Sequence, residues 1–144
     1  MRAIFIAMIV NLVLFSSSSY ARNDVNNYSI KEALNSDAAA GKLNDVQLFF
    51  GEQEHSKVLK EKGLTKVNKK TNAFNKSDEE ACEWVFLSAV IALQNKAQKE
   101  GANAVINIKS NYQNNLTSSN EKFQCGSGTI IAGVALTGEL VTIK

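Results

Sequence analysis

The residues best suited to chemistry in this chain are its two cysteines, Cys82 and Cys125, and its single histidine, His55. A thiol beside an imidazole can serve as a nucleophile, and these three side chains with Glu52 or Glu54 could hold a metal ion. A nucleophilic cysteine must stay reduced, and a closed zinc site usually takes closely spaced cysteine pairs. Cys82 and Cys125 lie far apart in the sequence, so they do not form such a closely spaced pair. The polar neighbours of His55 predict an exposed loop residue.

The first 21 residues decide which cysteine chemistry is expected. Arg2 gives a positive start, residues 3–15 are almost unbroken apolar sequence, and Ser19 and Ala21 are small residues at the −3 and −1 positions of a cleavage site. This pattern is typical of a secretory signal peptide over residues 1–21. Its apolar part is too short to cross a bilayer comfortably, so we expect no membrane span. The sequence predicts an exported protein, periplasmic or secreted, after cleavage near Ala21.

Export predicts that Cys82 and Cys125 form a disulfide, because thiols oxidise outside the cytosol. The chain has no other cysteine, so one pairing is available. In the chain-entropy description, a disulfide that closes the loop between these two cysteines stabilises the folded state by about 4 kcal/mol. The expected role of both cysteines is therefore structural.

A lysine-rich stretch is the feature that suggests a class of partner. Seven lysines lie between residues 57 and 76, against one acid, Glu61, although the formal net charge of the whole chain is only +2. Lys66, Lys69 and Lys70 could form a contact surface for an anionic envelope polymer. Alternatively, they could solvate a sheet edge, where lysines discourage association between strands.

The motifs of common enzyme classes are missing from this sequence. Gly41-Lys42 lacks the earlier glycine of a phosphate-binding loop, and Gly126, Gly128 and Gly133 lack the spacing of a dinucleotide-binding turn. Ser127 does not lie in the G-x-S-x-G turn of hydrolases. The aromatic residues are too scattered for a base-stacking surface. We therefore expect no catalytic activity, no cofactor and no nucleic-acid partner.

One long helix dominates the predicted secondary structure. Ser77, followed by three acids ending at Glu80, forms a capping box that predicts a helix beginning at Ser77. Gly101 supplies the residue that ends it, so the helix should cover about 77–100. Its middle is apolar on nearly every side, which indicates a central buried helix.

Strands account for most of the remaining pattern. Alternating apolar residues predict a strand that stops at Gly51. Further strands are expected over 64–70, 104–108, 122–125, 129–136 and 139–143, with Thr137-Gly138 as a turn between the last two. Residues 110–120 are rich in Asn, Ser and Gln and predict a polar loop.

These elements predict an α+β fold with a mostly antiparallel sheet packed on the long helix. The single domain should cover residues 43–144. Residues 22–42 form a variable N-terminal segment with one short helix around 29–35. Cys82, in the first turn of the long helix, could then reach Cys125 in the sheet and join the two layers.

Three segments resemble known sequences. The stretch NKKTNAFNKSDEEACEW (68–84), the run Gly101-Ala102-Asn103-Ala104-Val105 and residues 125–138 resemble a family of small proteobacterial exported proteins, often labelled "excinuclease ATPase subunit". An ATPase of that kind needs a phosphate-binding loop, which this chain lacks. The Gly-Ala-Asn-Ala-Val run after a helix is also similar to YbjQ-type domains and the RcsF-like domain of envelope-stress lipoproteins. This second resemblance implies an α+β fold. The chain departs from RcsF in having no cysteine near residue 21 for lipid attachment.

The sequence thus favours a non-enzymatic exported protein that binds a partner in the cell envelope, either a protein or an anionic polymer. Two alternatives remain open at this point. One is an envelope protein that binds a small ligand or a metal, and the other is a hydrolase whose site has no recognised motif.

Overall fold

The computed structural model describes residues 20–144, so the expected leader over 1–21 lies outside the described residues except for its last two positions. The elements follow in the order β1 (Asp24–Ser29), α1 (Ile30–Leu34), β2 (Gln47–Phe50), β3 (Val58–Asn72), α2 (Asp78–Lys99), β4 (Ala104–Tyr112), β5 (Asn115–Thr117), β6 (Lys122–Ser127) and β7 (Ile131–Ile143). They form one seven-stranded sheet and one main helix. The expected α+β class with a mostly antiparallel sheet is confirmed.

Strand β7 is the centre of the sheet. One edge of β7 pairs with β3 along its whole length, and the other edge pairs first with β6 and then with β4. Beyond these, β1 pairs with β6, β5 forms a hairpin with β4, and β2 joins β4 as a parallel neighbour. Because β3 pairs with β7 alone, it is a long edge strand.

Helix α2 has the ends that the sequence predicts. The Ser77 hydroxyl accepts a hydrogen bond from the Glu80 backbone N–H at 3.1 Å, and three acids occupy the first turn. Gly101 follows the last turn with φ 71°, a left-handed conformation that glycine adopts without a side-chain clash. Ten residues of α2 are buried, which confirms a central helix packed on the sheet. No helix in the part of the chain described here is long and apolar enough to cross a membrane.

A row of aromatic rings forms the middle of the core. The rings of Phe86 on α2 and Phe123 on β6 stack with centroids 3.9 Å apart. Phe50 on β2 lies 5.9 Å from Phe86, and Tyr28 on β1 lies 5.8 Å from Phe123. This row connects the helix to both ends of the sheet through one continuous apolar contact.

The N-terminal segment belongs to the same sheet and core as the rest of the domain. All six residues of β1 pair with β6, and Ile30 and Ala33 of α1 are buried against α2. The short helix expected around 29–35 is present over Ile30–Leu34, with the Ser29 hydroxyl accepting from the Glu32 N–H at 3.2 Å. The mostly exposed β1 shows no apolar alternation, because it is attached by backbone pairing rather than by buried side chains.

Two predicted boundaries in the C-terminal half are wrong. The turn expected at Thr137-Gly138 is absent, since β7 runs unbroken over Ile131–Ile143 and pairs with β3 on both sides of that position. Gly138 instead leaves room for the Val105 side chain of β4, which a Cβ at 138 would strike. The polar loop expected over 110–120 contains the β4–β5 hairpin. Its two turn residues, Gln113 and Asn114, have φ values of 51° and 62°, as tight hairpin turns require.

Arg22 attaches the N-terminal end of the described chain to the start of α2. Its guanidinium donates to both carboxylate oxygens of Asp78 at 2.9 Å, to Asp24 at 2.8 Å and to the Gly128 carbonyl at 2.8 Å. Hydrogen bonding to Arg22 is the main reason that the pKa of Asp78 lies below its ordinary value. The pKa of Arg22 is raised, chiefly by hydrogen bonds to Asp78 and Asp24.

This ion pair predicts a pH dependence of stability. Because the pKa of Asp78 is lower in the folded state, its stabilising contribution is complete above the unfolded pKa of roughly 3.9 and is lost as the pH falls through the folded pKa. Urea unfolding of wild type and Asp78→Asn should therefore show a difference at neutral pH that shrinks at about pH 3. Glu79→Gln is the matched control, because it removes an acid from the same turn without breaking this pair. A difference that stayed constant with pH would contradict the prediction.

Candidate functional site

The two cysteines form a disulfide between the layers of the domain. Cys82 lies in the first turns of α2 and Cys125 lies on β6, with their Cα atoms 5.8 Å apart. Both side chains are fully buried. Since these are the only cysteines of the chain, no thiol is left for nucleophilic chemistry or metal binding. The expected pairing and the expected junction of helix and sheet are both confirmed.

His55 lies on the exposed connection between β2 and β3, whereas both cysteines are buried in the core. The imidazole packs edge-on against the Phe49 ring, with centroids 5.5 Å apart, and Nδ1 lies 2.8 Å from the Ser56 carbonyl oxygen. His55 is exposed, and Glu52 and Glu54 are exposed on the same connection. Within residues 20–144 no three His, Cys, Asp or Glu side chains are grouped as a metal site. The structure therefore does not assemble the metal-ligand set that the sequence left open.

The three lysines of the suspected patch are divided between the two faces of β3. Thr65 is buried and Val67 packs against the core beside α2, so alternation along the strand puts Lys69 on the helix side. Lys66 and Lys70 lie on the opposite surface, which we call the outer face of the sheet. The structure thus places two of the three predicted residues on the same face of β3.

Two lysine ammonium groups cover carbonyls along the free edge of β3. Lys96 Nζ on α2 lies 3.4 Å from the Lys66 carbonyl, and Lys76 Nζ donates to the Asn72 carbonyl at 3.1 Å. These contacts occupy acceptors that another strand could otherwise use. The observed edge position of β3 agrees with the sheet-edge interpretation of the lysine-rich stretch.

The outer face carries a shallow depression across β3, β7, β4 and β5, which we call the polar trough. It comprises two adjoining cavities of about 310 and 230 Å³ that share Lys66 and Asn111. Its lining is rich in amide side chains, which are Asn68, Asn107, Asn111, Gln113 and Asn114. Thr137 adds a hydroxyl, and the exposed Leu64 and Leu116 add apolar contact area.

The charges in the polar trough are not neutralised within the protein. Lys66 and Lys109 line it together with one acid, Glu139. The salt bridges found among residues 20–144 involve Arg22 and its two aspartates, so neither lysine is engaged in one. Lys109 was missed by the sequence prediction because the strand was expected to end at Ile108. Extending the alternation by three residues, to Asn111, would have placed Lys109 and Asn111 on one face.

Tyr112 closes the end of the outer face beyond the trough. Its ring lies over Gly126 and Gly133, which pair with each other across β6 and β7. A side chain at Gly126 would displace the Tyr112 ring, and a side chain at Gly133 would crowd it. The Tyr112 hydroxyl donates to Asn23 Oδ1 at 2.9 Å. These two glycines therefore serve packing, and no nucleotide-binding turn is formed around them.

Comparisons of this chain with protein-family models, with curated proteins and with solved structures found no match.

Proposed function

We propose that this protein is a non-enzymatic binding protein of the cell envelope that holds an acidic polysaccharide in the polar trough. The observation that carries the proposal is the open sheet face on which Lys66 and Lys109 stand unpaired, within the described residues, among five amide side chains. The envelope location rests on the signal-peptide pattern of residues 1–21.

The chemistry of the trough suits this class of ligand. Amide side chains offer both donors and acceptors, which match the hydroxyl groups of sugars. Lysine ammonium groups are point charges that pair with carboxylate, sulfate or phosphate substituents. Glu139 and nearby Glu61 make the other end of this face acidic, so an anionic chain should enter over Lys66 and Lys109.

Neutralising the two trough lysines should weaken binding to an anionic polysaccharide. With heparin as the probe, Lys66→Gln/Lys109→Gln should bind roughly tenfold more weakly than wild type at low salt, because two exposed ion pairs are lost. The salt dependence of the affinity should also become less steep, since fewer counterions are released on binding. Isothermal titration calorimetry at several salt concentrations measures both effects.

The matched control is Lys69→Gln/Lys99→Gln, which removes the same charge from positions outside the trough. This control should keep the wild-type affinity. An equal loss in both double variants would show that net charge alone governs binding, and wild type that fails to bind heparin at low salt would overturn the proposal. If Lys66→Gln/Lys109→Gln bound heparin normally but aggregated, the proposal would be wrong, and Lys66 would serve only to protect the edge formed by β3.

A further inference from the structure

We propose that a second site, separate from the polar trough, binds a small amphipathic anion such as an aliphatic carboxylate. This edge groove lies between α1 and β2 and has a volume of about 570 Å³, within the range of small-molecule sites. Its floor is formed by Ile30, Leu34, Leu48 and Phe50, and its rim is polar. It shares no residue with the trough, so binding at one site can be tested without changing the other.

The floor of the edge groove is continuous with the core. Ile30 and Phe50 are almost completely buried, and Leu34 and Leu48 pack against the core while remaining partly exposed. Beneath them, the Phe50 ring contacts Phe86 in the aromatic row. An alkyl chain lying in the groove would cover the exposed parts of these side chains, which is the source of apolar binding energy.

The walls of the groove are held in place without a ligand. The Ile30 N–H donates to the Glu121 carbonyl at 2.9 Å, which fixes α1 against the start of β6. Gln53 Oε1 accepts from the Phe50 N–H at 2.8 Å, and Gln53 Nε2 donates to the Asn120 carbonyl at 3.0 Å. These bonds join both walls to the same loop, so binding costs little ordering.

The segment that leads into β2 is hydrogen-bonded to the buried side chain of Gln94. Gln94 on α2 donates to the carbonyls of Asn44 and Val46 at 3.2 and 2.9 Å and accepts from the Asn44 N–H at 3.1 Å. This contact could not be predicted from the sequence, because Gln94 begins the polar run Gln94-Asn95-Lys96, which is typical of an exposed helix end. Gln94 is therefore a positioning residue that sets where the β2 wall begins.

The polar groups left for a ligand favour an anion. The side chains of Gln53, Asn120, Asn35 and Ser29 in the rim all form hydrogen bonds within the protein. Among the described residues, no hydrogen bond or salt bridge engages the side chains of the three charged lining residues, which are Lys31, Glu121 and Lys122. Two cations against one acid leave the rim positive, so an anionic head group is preferred to a cationic one.

An extended peptide fits this groove less well than a small amphiphile. β2 is only four residues long, and the Gln53 side chain already occupies the Phe50 N–H. Strand addition needs a run of free backbone groups, which this edge does not provide. The combination of apolar floor and cationic rim therefore points to a ligand with one alkyl portion and one anionic group.

The test compares three ten-carbon probes by calorimetry on the full protein: decanoate, decanol and decyltrimethylammonium. Decanoate should bind most tightly, decanol roughly tenfold more weakly, and the cation most weakly of the three, because only the carboxylate pairs with both lysines. Equal binding of decanoate and the cation, or no saturable binding of decanoate, would overturn the proposal.

Variants locate the binding in the groove. Lys31→Gln/Lys122→Gln should weaken decanoate binding roughly tenfold and leave decanol binding unchanged. Leu34→Asn on the partly exposed floor should weaken both probes, with circular dichroism and thermal melting confirming that the variant is folded. Lys69→Gln/Lys99→Gln is the control for net charge and should bind all probes as wild type does. Full decanoate affinity in the Lys31/Lys122 variant would place binding elsewhere and refute the site.

Discussion

Cys82→Ser should lower the free energy of unfolding by about 4 kcal/mol, because the disulfide restricts an unfolded chain that would otherwise be free between two cysteines 43 positions apart. Both sulfur atoms lie in the fully buried core, so the serine hydroxyl also has to be accommodated in an apolar site. Urea unfolding of the two proteins at neutral pH measures the difference. For a domain of this size, that loss is a large share of the total stability.

Reduction separates the covalent bond from the change of side chain. Wild type in excess dithiothreitol should lose a similar amount of stability, whereas Cys82→Ser should be insensitive to the reductant. Wild-type protein whose unfolding midpoint did not move on complete reduction would contradict the prediction.

Phe86→Ala should cost about 3–5 kcal/mol, the range found when a buried aromatic ring is removed from a core. Phe86 is fully buried and its ring contacts both Phe123 and Phe50, so its loss leaves a cavity between α2 and both ends of the sheet. Chemical denaturation measures the cost. Decanoate binding in the edge groove should also weaken, because Phe50 on its floor would lose its contact with the Phe86 ring.

Phe74→Ala is the matched control for this substitution. Phe74 has 59% of its surface exposed, just before α2, so removing its ring leaves no cavity and should change stability by less than about 1 kcal/mol. Equal costs for the two variants would mean that the stacked row is not the centre of the core.

Signals that act over a few residues were sufficient to predict several features of this protein. Ser77 and the acids after it define where α2 begins, and Gly101 defines where it ends, because capping depends on neighbours within one turn. The disulfide also followed from the sequence, since the chain has two cysteines and each has no partner but the other.

Features that depend on pairing between distant strands could not be predicted in this way. Thr137-Gly138 has the composition of a turn, yet pairing with β3 on one edge and β4 on the other keeps β7 extended through it. Residues 110–120 look like a polar loop, yet the left-handed Gln113 and Asn114 allow a hairpin. In both cases hydrogen bonds to a partner strand outweigh local propensity.

The amino-acid sequence by itself determined the α+β class, the long capped helix and the cysteine pair, because each depends on local periodicity, capping or a single possible partner. Alternation along the strand predicted over 64–70 is enough to separate Lys69 from Lys66. Tertiary structure alone joined Lys66 to Lys109, since the pairing of β3 and β4 with β7 places both lysines opposite Thr137. It also formed the edge groove, whose walls come from residues near 30, 50 and 121 that meet only when the sheet is complete.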